Sequence, residues 1–163
     1  MKVKILGIDP GLQITGFGII EVTDGNKPKL LTFGHVRTSA SHALSKRVFK
    51  VYSEISALLN EFNPDVMAME SVFYAQNVKT AITMGHVRGA VMVAAEATGI
   101  PVFEYAPREI KMSVVGNGAA SKSQVQFMVK HLLNLKQDIE PIDASDALAV
   151  ALCYWHRTNL NLK

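Results

Sequence analysis

The stretch Val3–Asp9, with the sequence VKILGID, is apolar on both faces of the strand that it predicts. A strand with one face in water alternates apolar and polar residues, whereas a strand covered on both sides is apolar throughout. We therefore expect Val3–Asp9 to lie in the middle of a sheet that other elements cover on both faces. Asp9 is the only acid in this stretch, and it stands at the carboxyl end.

Two more apolar stretches follow, ITGFGIIEV (Ile14–Val22) and KLLTFGHVRT (Lys29–Thr38). They are separated by TDGNKP, whose Asp-Gly pair favours a tight turn, so the simplest prediction is three successive antiparallel strands. From Leu44 to Phe62 the apolar residues recur every three or four positions, which predicts a helix, and Pro64 stops it.

The remaining elements alternate between strand and helix before the chain becomes helical. They are a fourth strand in DVMAME (65–70) that ends at Glu70, a helix over about 77–98, a fifth strand in GIPVFEY (99–105), short helices from Pro107 and Ser121, and a last helix over about 143–156. The order βββαβαβ followed by helices predicts an α/β fold, with a mixed five-stranded sheet and helices on both faces.

Length and composition indicate one domain over residues 1–163, because the chain can bury one good core but not two. No apolar run approaches the roughly 20 residues that cross a bilayer, and no basic-then-apolar leader follows Met1. The one cysteine, Cys153, has no partner for a disulfide, which favours a reducing compartment. We therefore expect a soluble, cytoplasmic protein.

Acidic residues stand at points that the predicted fold brings together. Asp9 ends the first strand and Glu70 the fourth, and ligands of open α/β sheets bind at the carboxyl ends of strands. Asp143 and Asp146 are three residues apart on the last helix and so share one face. If that helix docks at the same end of the sheet, the four carboxylates form one cluster.

Such a cluster needs cations, because four nearby carboxylates repel one another. Oxygen ligands without histidine suit Mg²⁺ or Mn²⁺ better than zinc. The chain has 17 Lys and Arg against 14 Asp and Glu, a net charge of +3. With four carboxylates bound to metal, the remaining surface counts 17 against 10, so a basic field would surround an acidic centre.

Each acid also has a structural interpretation. Asp143 and Asp146 could cap their helix and stabilise its first turn. Glu70 could end its strand in solvent, and Asp9 could be a turn residue. The metal site is favoured because three separate elements each deliver acid to one end of the sheet.

Four segments, in order and over nearly the whole chain, resemble the RuvC family of Holliday junction resolvases. They are GIDPGLQITGFGI (7–19), AMESVFYAQN (68–77), VFEYAPREIKMSVVGNGAASKSQV (102–125) and DASDALAVAL (143–152). The resemblance implies a ribonuclease H-like fold, in agreement with the element order. The family's acidic tetrad falls on Asp9, Glu70, Asp143 and Asp146; some members have histidine at the position of Asp143.

The resemblance implies a metal-dependent endonuclease that resolves four-way DNA junctions in recombination and repair. Its products are two symmetric nicks with 5′-phosphates, and a branch-migration complex is its expected partner. Two metal ions, Mg²⁺ or in its place Mn²⁺, can activate the attacking water and stabilise the leaving 3′ oxygen. We expect Asp9 to bridge the ions because it lies on the central strand, and Glu70, Asp143 and Asp146 to complete the ligands.

Contacts with DNA are expected from other residues. By resemblance, Lys111 and Lys122 contact phosphate, although both could be ordinary solvated lysines. Ser121 and Gln124 have the spacing of a capping box beside Lys122. Phe73 and Tyr74 follow the end of the fourth strand; in the family, the position of Phe73 stacks on unpaired bases at the crossover.

Paired nicks on a two-fold symmetric junction require two active sites, so we expect a homodimer. Gly85 and Gly89 are four residues apart in AITMGHVRGAVMVAA (81–95), which gives the second helix a smooth stripe for contact with its partner. The same glycines could instead pack against the chain's own sheet, and the sequence leaves both alternatives open.

Three other functions share parts of this pattern. GIDPGLQITG (7–16) also resembles the first phosphate loop of actin-like ATPases and sugar kinases, but those need a second domain that 163 residues cannot supply. A non-catalytic nucleic-acid-binding relative would need the lysines without all four acids. A ribonuclease H-like nuclease with another substrate would have the same metal chemistry.

Overall fold

The five strands and five helices follow the predicted order. The computed structural model describes residues 1–23, 25, 27–71 and 77–160. The strands are β1 (Lys2–Asp9), β2 (Ile14–Thr23), β3 (Lys29–Arg37), β4 (Val66–Glu70) and β5 (Val102–Tyr105). The helices are α1 (Leu44–Phe62), α2 (Val78–Ala97), α3 (Pro107–Val115), α4 (Lys122–Leu132) and α5 (Ile142–Leu160).

Strand β1 is the central strand, as its sequence predicts. The order across the sheet is β3-β2-β1-β4-β5. Strand β1 pairs antiparallel with β2 and parallel with β4, β2 pairs antiparallel with β3, and β4 pairs parallel with β5. The sheet is therefore mixed, and the predicted α/β architecture is confirmed.

Helices cover both faces of the sheet, and each face has its own apolar core. Ile5 of β1 packs with side chains of α3, α4 and α5 on one face, whereas Leu6 and Ile8 pack with α1 and α2 on the other. Helix α5 lies between the sheet and helices α3 and α4. Its apolar run is buried on most sides for that reason.

Local signals set the helix ends. Helix α1 stops at Asn63, which is in the left-handed conformation and donates its N–H to the Leu59 carbonyl (3.0 Å), and Pro64 follows. The predicted bounds of α5 were too narrow, since it begins at Ile142 and runs to Leu160. No glycine or proline follows His156 to end it there.

The glycines of α2 face away from the chain's own sheet. A Cβ added at Gly85 or Gly89 would meet no described atom within 4 Å. The alternative that these glycines pack against the sheet is therefore wrong. Gly89 borders a largely apolar groove of about 730 Å³ between α1 and α2, which is lined by Leu44, Ser45, Val48, Phe49, Tyr52, His86, Gly89, Ala90 and Val93.

Candidate active site

Asp9 and Glu70 end two neighbouring parallel strands. Ile8 of β1 is in register with Met69 of β4, so the next residues, the two acids, are side by side. Side chains alternate between faces along a strand. Because Ile8 and Met69 point into the core beneath α1 and α2, both carboxylates lie on the opposite face, where α5 packs.

Helix α5 approaches this face closely because two strand positions have no side chain. A Cβ on Gly7 of β1 would lie 2.0 Å from the Ala147 carbonyl oxygen, and one on Gly16 of β2 would lie 2.0 Å from the Asp143 carbonyl oxygen. Gly16 is the direct cross-strand partner of Asp9. The start of α5 is therefore held against the strand pair that carries Asp9.

Asp143 is inside the first turn of α5 and not at its cap, because the helix begins one residue earlier. Its negative charge still suits the amino end of the helix. Asp146, one turn later, is partly exposed on the same side. The capping interpretation thus accounts for a first-turn acid at residue 143 but not for the position of Asp146.

The four carboxylates interact electrostatically. Burial, followed by the negative charges of Asp146, Glu70 and Asp143, raises the pKa of Asp9 to about 7. Burial and then Asp146 raise the pKa of Glu70, and burial is also the main cause of the raised pKa of Asp146. The fold therefore holds acids together at a cost in charge repulsion, a pattern that marks a candidate functional site.

Two lysines face the cluster from α3 and α4. The Lys122 ammonium lies 3.6 Å from an Asp146 carboxylate oxygen, and its charge lowers the pKa of Asp9, Glu70 and Asp146. Lys111 also lowers the pKa of Glu70. Both lysines line a pocket of about 90 Å³ together with Glu70 and Asp146. The structure thus brings the two predicted lysines to the acids.

The predicted capping box fixes the start of α4. The Ser121 hydroxyl accepts a hydrogen bond from the Gln124 N–H (3.2 Å), and the Gln124 side-chain oxygen accepts one from the Ser121 N–H (2.8 Å). Lys122 is the first residue of this helix. Its backbone is therefore ordered, while its side chain is 74% exposed and can move toward a ligand.

Arg88 of α2 is a residue that sequence reasoning missed. Its guanidinium donates to the Glu70 backbone carbonyl and also pairs with the Glu104 carboxylate of β5. Arg88 thereby holds the end of β4 in place at Glu70, the candidate catalytic residue. Arg88 is the only Asp, Glu, Lys or Arg in the segment AITMGHVRGAVMVAA (81–95), and this is the signal that could have indicated it.

The donor set fits a hard divalent cation, because the four acids supply only oxygen ligands, are partly desolvated and repel one another. Within the described residues, however, no three His, Cys, Asp or Glu side chains are close enough to form a ready-made metal site. Asp146 instead pairs with Lys122. Phe73 and Tyr74 lie outside the described residues.

Comparisons with known proteins match nearly the whole chain. Residues 5–154 match the sequence profile of a family described as crossover junction endodeoxyribonuclease RuvC. The protein of that name from Syntrophomonas wolfei is 46% identical over 158 residues, which cover 97% of this chain and 91% of that protein.

Solved structures of the Thermus thermophilus RuvC protein are also similar to this chain. The structure of that protein has a TM-score of 0.89 at 33% identity and covers 97% of this chain and 96% of its own. The structure of its complex with a Holliday junction substrate has a TM-score of 0.93 at 33% identity, covering 98% and 96%. The matched range, residues 5–154, contains Asp9, Glu70, Asp143 and Asp146.

Proposed function

Because the chain belongs to the RuvC family of crossover junction endodeoxyribonucleases, we propose that it resolves four-way DNA junctions in homologous recombination and DNA repair. It has the ribonuclease H-like fold of that family. As a member of the family it is an endodeoxyribonuclease. The observation that supports the proposal is that Asp146, Glu70 and Asp143 all raise the pKa of Asp9, at the carboxyl end of β1.

The proposed reaction is hydrolysis of one phosphodiester bond in each of two opposite strands. A water oxygen forms a bond to phosphorus, the bond from phosphorus to the 3′ oxygen breaks, and the products are a 5′-phosphate and a 3′-hydroxyl. Two divalent metal ions, Mg²⁺ or in its place Mn²⁺, when bound would supply charge neutralisation and an activated water. Asp9 would hold both ions, and Glu70, Asp143 and Asp146 would complete the site.

Lys111 and Lys122 are proposed to contact the scissile region of the DNA backbone. Each lines the pocket that Glu70 and Asp146 also line. A phosphate that enters this pocket would replace the ion pair between Lys122 and Asp146, which releases the carboxylate for metal. Phe73 and Tyr74, three and four residues after Glu70 in the sequence, are proposed to stack on unpaired bases of the junction.

A homodimer is proposed through the groove between α1 and α2. Its apolar side chains include Phe49, which is 65% exposed, and Val93, which is 59% exposed. A second copy of the chain is the occupant that fits, because two nicks related by a two-fold axis need two identical sites.

The branch-migration machinery is a further proposed partner, and the cytoplasm is the proposed location. No helix among the described residues is long and apolar enough to cross a membrane.

One gel experiment tests the proposed function. A four-way junction and a linear duplex of the same sequences are incubated with the protein, with Mg²⁺ or with EDTA. We expect symmetric nicks in the junction only, and only with Mg²⁺. Equal cleavage of both substrates would indicate a nuclease with another specificity, and tight binding without cleavage would indicate a non-catalytic relative.

A further inference from the structure

Residues 25–53 form a basic stretch that the proposed site does not use. They contain no Asp or Glu, and they carry six cationic residues, Lys27, Lys29, Arg37, Lys46, Arg47 and Lys50. The whole chain has a net charge of only +3. The positive charge of this protein is therefore concentrated in the segment that forms β3 and the first turns of α1.

The fold brings three of these cations to the end of the sheet that carries the acids. Arg37, Lys46 and Arg47, here called the basic corner, lie where β3 ends and α1 begins. Arg37 is in register with Ile14, and the N–H of Thr38 donates to the Gln13 carbonyl (3.0 Å) in the loop that follows Asp9. Since β3 is two strands from β1, the backbone of Arg37 is on the order of 10 Å from the end of β1.

Arg47 is held in one orientation by a buried hydroxyl. Its Nε donates to the Thr38 hydroxyl oxygen (2.9 Å), and that hydroxyl donates in turn to the Leu12 carbonyl. Thr38 is only 6% exposed, so the arrangement is well fixed. The Thr38 bond engages Nε and leaves the two outer nitrogens of the guanidinium for another acceptor.

The other two members of the corner are exposed. Among the described residues, no carboxylate forms an ion pair with Arg37, Lys46 or Arg47. This differs from Lys50 further along α1, whose ammonium lies 3.6 Å from Glu54. The corner therefore presents positive charge that the chain itself does not neutralise.

We propose that the basic corner binds the sugar-phosphate backbone of DNA on the β3 side of the acidic cluster, opposite Lys111 and Lys122. This inference rests on the proposed function. The two lysines approach the acids from α3 and α4, which pack on α5, and the corner lies beyond β2, at the β3 edge of the sheet. A DNA strand laid across Asp9 then meets cations on both sides of the position where the carboxylates repel it.

The test compares two double variants that remove the same charge. R37Q/K46Q removes two cations of the corner, whereas K27Q/K29Q removes two from the same basic stretch at the opposite end of β3. Binding of a synthetic four-way junction is measured in Ca²⁺ at several salt concentrations. For R37Q/K46Q we expect roughly tenfold weaker binding and a log–log salt slope shallower by about 2, since each phosphate contact contributes about 0.9.

For K27Q/K29Q we expect an unchanged slope, and for R37K/K46R we expect binding close to that of the wild type. Equal slopes for the two glutamine variants would overturn the inference, as would wild-type binding by R37Q/K46Q. Thermal unfolding of each variant verifies the fold. If the wild-type protein itself does not prefer junctions to linear duplex, the proposed function fails instead, so the two failures are distinguishable.

Discussion

The Asp146 carboxylate repels the other acids and attracts one lysine, so its substitution separates chemistry from binding. We expect Asp146→Asn to abolish junction cleavage in Mg²⁺, because a metal ligand is lost. Binding in Ca²⁺ should be unchanged or tighter, since a negative charge near the phosphate is removed. Cleavage gels and binding isotherms measure the two effects. A large drop in melting temperature would instead indicate that Asp146 is a structural residue of α5.

The Asp9 carboxyl predicts a dependence of stability on pH. Burial and then the charges of the neighbouring acids raise its pKa to about 7, so between about pH 4 and pH 7 the folded chain holds a proton that the unfolded chain releases. The stability that this proton provides is complete below pH 4 and is lost as the pH rises through 7.

Asp9→Asn should therefore melt at a higher temperature than the wild type at pH 8 in EDTA, and the difference should vanish near pH 4. One pKa unit corresponds to about 1.4 kcal/mol, and with partial solvent screening we expect a gain of roughly 2 kcal/mol. Melting curves of both proteins from pH 4 to pH 8 test this. A lower melting temperature for Asp9→Asn at pH 8 would contradict the raised pKa.

Among the elements, α5 depends on the bare backbone of β1 and β2. Gly7→Ala places a Cβ 2.0 Å from the Ala147 carbonyl oxygen, so the helix must move away from the sheet. We expect a loss of about 2–4 kcal/mol of stability, as in overpacked cores, together with slower cleavage because Asp143 and Asp146 move with the helix. Urea unfolding and cleavage rates measure both.

Gly85→Ala is the matched control for the Gly7 variant. It adds the same methyl group at a position where no described atom lies within 4 Å, inside helix α2. Alanine favours a helix by about 1 kcal/mol over glycine, so this variant should be as stable as the wild type or more so. Equal destabilisation by the two substitutions would contradict the close approach of α5.

The elements could be predicted from the sequence because their signals are local. The apolar run from Val3 correctly predicted β1, and the helical spacing from Leu44 correctly predicted α1. The positions of Asp9 and Glu70 could be predicted because each residue ends a strand. The close approach of α5 could not be predicted. It depends on Gly7 and Gly16 facing the same helix, a contact between residues far apart in the chain. The bonds of Arg88 and Arg47 escaped prediction for the same reason.

At the scale of the whole molecule, the proposed homodimer predicts that one resolution event needs two active copies of the chain. Mixing wild-type chains with Asp146→Asn chains should give heterodimers that nick one strand and release no resolved duplex in the first event. Single nicks on a supercoiled cruciform plasmid report this directly. Resolved products in proportion to wild-type chains alone, with no nicked circles, would contradict a dimer.

A substitution in the groove between α1 and α2 also tests whether the chain forms a dimer. Phe49→Glu places a charge on a side chain that is 65% exposed, so the fold should be retained while dimers dissociate. Sedimentation at micromolar concentration should then show monomers. If it shows dimers, the two copies meet on another surface.

The glycine contacts under α5 also limit how this enzyme could be adapted to other metals. The gap between helix and sheet is set by the contact radii of peptide atoms, which no substitution at Gly7 or Gly16 can shrink. Adapting the proposed site to a smaller ion must therefore come from the reach of the ligands themselves, for example Asp143→Glu, which lengthens one side chain by a methylene while the backbone stays in place. The backbone contacts fix the distance between α5 and the sheet, so only the lengths of the side chains that project into the site can vary.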